Sequence, residues 1–82
     1  MTAAGSKIPR DVLELIRVLY GRIATHEALA AQDVCKAYGA DQDGHHDEAE
    51  ALRTLARNHR IRALEVGAHI RLLEMGFGPD GD

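Results

Sequence analysis

Apolar residues recur at steps of three and four on both sides of the segment Gly39-Ala-Asp-Gln-Asp-Gly44, and the two series mirror each other. Val12, Ile16, Leu19, Ile23, His26, Ala30 and Val34 form the first; Leu52, Leu55, His59, Ala63, Val66, Ile70 and Leu73 form the second. Each spacing is that of one face of an α-helix. In two antiparallel helices joined by a loop, facing residues have numbers with a nearly constant sum. Val12 with Leu73, Leu19 with Val66, His26 with His59 and Ala30 with Leu55 give 85, while Ile16 with Ile70, Ile23 with Ala63 and Val34 with Leu52 give 86. The expected fold is an all-α antiparallel two-helix hairpin.

Both helices have readable ends. Ser6 is a candidate N-cap ahead of Pro9, whose missing N–H costs nothing in a first turn, and Asp11 adds a favourable negative charge there. Gly39 is placed to close this helix after Tyr38 in the left-handed conformation that commonly ends one. Asp47 and Glu50 have the spacing of a capping box for the second helix. Gly76, with Phe77 placed to touch Leu72 or Leu73 and Gly78-Pro79 following, predicts its end. The chain is thus one domain, with helix one over 6–38, a loop over 39–46, helix two over 47–75 and a loose tail over 76–82. Helices of about 30 residues run roughly 45 Å, and Gly21, Asn58 and Gly67 are the places where they are most easily interrupted.

A chain of 82 residues buries a small core, and domains of this size usually gain stability from disulfides, a metal or a partner. Cys35 is the only cysteine, so an intrachain disulfide is excluded and a reducing compartment is favoured. The opening residues offer no apolar core for a signal peptide, and the run from Val12 to Tyr20 is too short to span a bilayer and is broken by Glu14 and Arg17. The expectation is a cytoplasmic protein with no membrane partner. Ten basic and thirteen acidic side chains give a formal charge of -3, which does not favour nucleic acid.

The apolar residues are concentrated at one end of the hairpin. Between Val12 and Tyr20 nearly every side of the helix is apolar, and Leu64, Val66, Ile70, Leu72, Leu73, Met75 and Phe77 cover more than one face of the other. A single seam cannot bury them all, so Leu13, Leu15, Val18, Tyr20, Leu64, Leu72 and Phe77 are the candidate interface. Two hairpins joined there make a dimeric four-helix bundle, with a second copy of the chain, or another protein, as partner.

Candidate chemistry rests mainly on histidines. His26 and His59 fall in one layer of the seam, where neutral imidazoles can bind zinc or another transition metal, or form hydrogen bonds with Glu27 or water. Glu65 and His69 lie one turn apart and suit a metal or an ordinary surface pair. Asp41, Asp43, His45, His46 and Asp47 crowd the loop, but Gly44 and Leu52 stand where a calcium loop needs other residues, leaving helix capping as their role. Cys35 reads as a small buried residue, since no base within reach and no oxyanion donors accompany it. Nothing points to an enzyme.

The outline is similar to half of a ferritin-like four-helix bundle, a resemblance that implies metal between inward carboxylates and histidines; here Glu65-Val-Gly-Ala-His69 stands in place of that class's Glu-x-x-His. Interruptions at Gly21 and Asn58 would instead give four short helices resembling a DNA-binding helix-turn-helix regulator. Arg53, Arg57, Arg60 and Arg62 would then be the nucleic-acid contacts. The expectation favoured over both is a non-catalytic interaction module, an adaptor, regulator or assembly component, acting through a self-associating hairpin.

Overall fold

In the computed structural model, which describes residues 8–76, the chain is an antiparallel hairpin of two α-helices, α1 (Arg10–Gln42) and α2 (His46–Gly76). It forms a rod of 60 × 18 × 16 Å. Both helices run unbroken through Gly21, Asn58 and Gly67, so the four short helices of a helix-turn-helix layout are not formed. Ser6 and the tail from Phe77 onward, with the Phe77 anchor and Pro79, lie outside the described residues.

The helix ends differ from those expected. Pro9 is the N-cap residue of α1, not part of its first turn, and its carbonyl accepts from the Leu13 N–H at 3.0 Å. At the other end α1 continues four residues beyond Tyr38, because Gly39 stays helical. The left-handed residue is Gly44, with φ +82°. Its N–H donates to the Asp41 carbonyl at 3.0 Å while the His45 N–H reaches the Ala40 carbonyl at 2.8 Å, the paired bonds of a Schellman closure. Only Asp43, Gly44 and His45 then separate the helices. Asp47 lies inside the first turn of α2 and not at its cap position, so its charge favours the helix end, and the Ala49 N–H donates to the His45 carbonyl at 3.0 Å as the opening bond of the helix.

The seam follows a stricter rule than the one read from the sequence, because steps of three and four alternate without exception. On α1 the inward positions are Val12, Ile16, Leu19, Ile23, His26, Ala30, Asp33, Ala37 and Ala40; on α2 they are Ala49, Leu52, Ala56, His59, Ala63, Val66, Ile70 and Leu73. This is a heptad repeat, the pattern of a coiled coil. Val34 and Leu55, assigned to the seam from the sequence, are 41% and 49% exposed, while Asp33, Ala37, Ala49 and Ala56 take the inward places.

The two halves of the seam are built differently. Near the termini Ile16, Leu19 and Ile70 form a buried cluster flanked by Ile8, Val12, Ile23, Val66 and Leu73. From Ala63 toward the loop the fully enclosed positions are alanines, Ala30, Ala37, Ala49 and Ala56 among them. Alanine lets two helix backbones approach closely but buries little apolar area. Hydrophobic stabilisation, at about 25 cal/mol per Å2, is therefore concentrated at the terminal end.

Candidate functional site

A half-buried polar layer lies between these two halves. His26 Nδ1 and His59 Nδ1 are 3.2 Å apart, with ring centroids at 5.5 Å. Those two distances place both nitrogens close to the line joining the ring centres, so the rings meet head-on. That is the arrangement of an N–H···N hydrogen bond, in which one imidazole donates its Nδ1 proton and the other accepts in the complementary tautomer. The expected layer therefore forms, but the partner of each histidine is the other histidine and not Glu27. Asp33, in the place that hydrophobicity alone would give to Val34, extends the layer: its Oδ2 lies 3.9 Å from His59 Nε2. A transition metal held here would take two imidazole ligands from this chain. Among the described residues no group of three or more histidine, cysteine, aspartate or glutamate side chains is placed to hold an ion.

At the tip, Asp41 collects partners from the start of α2. His46 Nδ1 is 2.8 Å from Asp41 Oδ1, and the Arg53 guanidinium donates to Oδ2 while also reaching Glu50 at 3.4 Å. The His46 hydrogen bond, and after it the Arg53 guanidinium, holds the Asp41 carboxyl below its ordinary value of 3.8. His45 and Glu48 approach to 3.7 Å beside this network. Among the loop residues singled out for their ligand chemistry, Asp41 and His46 are brought together, whereas neither Asp43 nor Asp47 joins their network of side-chain bonds. The arrangement is a staple across the turn. The Arg53–Glu50 pair follows from their spacing on one helix, whereas the bond from Arg53 to Asp41, twelve residues away, does not.

The staple carries a pH prediction. A carboxyl whose value is depressed by folding contributes stability that is complete above its unfolded value and is lost as pH falls through its folded one. Urea midpoints of the parent and of Asp41→Asn should therefore differ by a constant amount at neutral pH and converge below about pH 4. A difference that persists unchanged into acid would mean that the Asp41 charge does not hold the staple, and no difference at any pH would leave the staple to Arg53 and Glu50 alone.

The remaining candidates are solvent-facing. Arg53, Arg57 and Arg60 share one flank of α2 at helical spacing, and Arg62 lies on the opposite flank. Arg53 is already engaged by Asp41, so the basic residues do not form one free surface. Glu65 and His69 are exposed and are not ion-paired with each other. Cys35 is exposed, contrary to the buried residue expected, because position 35 lies opposite the heptad seam.

Leu13, Leu15, Val18, Tyr20, Leu64 and Leu72 are all exposed, by 44% to 71%. They do not form one patch. On α1, Leu13 and Tyr20 follow seam positions by one residue, whereas Leu15 and Val18 precede them; on α2, Leu64 follows and Leu72 precedes. The following flanks of the two helices share a side of the hairpin, since a single groove is lined by Glu27 together with Arg60, Leu64 and Gly67, and Asp41 pairs with Arg53 on that same side. Leu13, Tyr20 and Leu64 therefore lie on one side and Leu15, Val18 and Leu72 on the other. Among the described residues no helix is long and apolar enough to cross a membrane. The chain matches no protein-family profile, no curated protein and no solved structure.

Proposed function

We propose that this chain is a non-catalytic protein-interaction module that acts by self-association, two hairpins packing into a dimeric four-helix bundle that serves as an adaptor, regulator or assembly component. The observation that carries this reading is the exposure of large apolar side chains on a hairpin whose fully enclosed positions toward the loop are alanines, with Tyr20 at 54%, Leu72 at 65% and Leu64 at 71%. Exposed apolar side chains grouped on one side of a hairpin, as Leu13, Tyr20 and Leu64 are, mark an interaction surface.

Native mass spectrometry of the untagged protein tests the reading directly, with a dimer or larger assembly as the expected result. Thermal unfolding gives a second readout, since only an associating chain is stabilised by its own concentration. Ten-fold dilution should lower the melting temperature by about 3–6 °C for a unit of two chains. A monomeric mass with a concentration-independent melting temperature would overturn the proposal.

A further inference from the structure

The heptad seam of α1 is accompanied by a second one, displaced from it by a single residue. Leu13, Tyr20, Ala24, Ala31, Val34 and Tyr38 repeat at the same alternation of three and four, and all six are exposed. Arg17 and Glu27 complete this series and are its only charged members between Leu13 and Tyr38; Arg10 and Asp41 lie at its two ends, and Asp41 is engaged by Arg53. Neither Arg17 nor Glu27 takes part in an ion pair among the described residues. On α2 the equivalent flank carries Arg53, Arg57, Arg60 and Arg71, with Leu64 as its one large apolar side chain, so the unpartnered apolar seam belongs to α1 alone.

A helix with two such seams is built to pack against two neighbours, and α2 accounts for only one. We propose that the second neighbour is α1 of a second copy of this chain, antiparallel to the first about a two-fold axis between Tyr20 and Ala24. The inference rests on the self-association reading and adds the face, the direction and the register. A two-fold contact is reciprocal, so each pairing occurs twice. Centred between Tyr20 and Ala24, the stripe sets Arg17 against the partner's Glu27 on both sides of the axis. It also sets Tyr20 against the partner's Ala24 and Leu13 against the partner's Ala31, placing a large side chain opposite a small one. A slide of one heptad toward the tip would set Arg17 against the partner's Val34 and Glu27 against the partner's Ala24, leaving those four charges without partners and facing Arg10 to an Asp41 that Arg53 already engages. A slide toward the termini would pair Glu27 with the partner's Arg10 but strand Arg17 against the partner's Tyr20. Opposite charges at the flanks of a helix pair select partner and register in this way.

Charge exchange tests this arrangement. Arg17→Glu and Glu27→Arg each create two like-charge contacts in a homodimer, whereas an equimolar mixture of the two variants restores both opposite-charge contacts in a heterodimer. Sedimentation equilibrium of each variant should give a dimer at least about ten-fold weaker than the parent, and the mixture should recover dimerisation to within about three-fold. A variant that unfolds alone and regains helical circular dichroism on mixing supports the arrangement equally. Single variants that dimerise as tightly as the parent, or a mixture no tighter than its components, would overturn this face and register while leaving self-association standing. A monomeric parent would overturn both proposals.

Discussion

Ile70→Ala is expected to destabilise the hairpin by about 2–5 kcal/mol, the range for removing a buried branched side chain from a packed core. Ile70 is 2% exposed and is the only α2 member of the fully buried cluster with Ile16 and Leu19. Nothing else in the seam replaces it, because the enclosed positions nearer the loop are alanines with little area to contribute. A domain of this length holds roughly 4–12 kcal/mol in all, so the loss takes a large share of the total. Urea unfolding followed by circular dichroism, at one fixed protein concentration, reads it as a fall in midpoint. A loss below about 1 kcal/mol would mean that the terminal cluster does not hold the two helices together.

Ala56→Leu should be nearly as damaging for the opposite reason. Ala56 is 1% exposed and faces α1 where the opposing enclosed residues are also alanine, so three added carbon atoms have no space unless the helices move apart. Overpacking of this kind costs about 1–3 kcal/mol. The same substitution at Ala51, on the same helix but exposed, adds the same apolar mass to solvent and should shift stability by less than about 0.5 kcal/mol. Equal effects at the two positions would contradict the close approach of the helices.

The hairpin itself was legible from spacing because the pairing of His26 with His59 and the apolar cluster near Ile16 and Ile70 lie where both helices carry unambiguous side chains. Legibility failed toward the loop. From Ala30, both Asp33 and Val34 are acceptable next steps on a helical face, and apolar character favours Val34. That choice takes two steps of four in succession, which departs from the 3.5-residue average that keeps a seam facing its partner. Leu55 fails for the same reason, since moving from it through His59 to Ala63 again takes two steps of four. Holding to strict alternation would have selected Asp33, Ala37 and Ala56, against their weak hydrophobicity. Gly39 and Gly44 pose the same kind of ambiguity, as either can end a helix. The choice falls on Gly44 because its closing bonds use the carbonyls of Ala40 and Asp41, which the staple from His46 and Arg53 then holds in place. That staple joins residues on two helices, and no local pattern announces it. The candidate interface was legible residue by residue, but its division between two sides required the seam to be placed to within one residue.

The uneven seam has a consequence for the order of folding. With three residues in the turn, contacts beside Gly44 close the shortest loops and carry the least entropic cost, so pairing propagates from the tip outward. The enclosed residues of the early layers are alanines and return little, while the apolar cluster that repays the cost joins Val12 to Leu73, the most widely separated part of the described chain. The folding barrier is therefore crossed before that cluster has formed, and Ile70→Ala should act mainly by accelerating unfolding, with the folding rate almost unchanged.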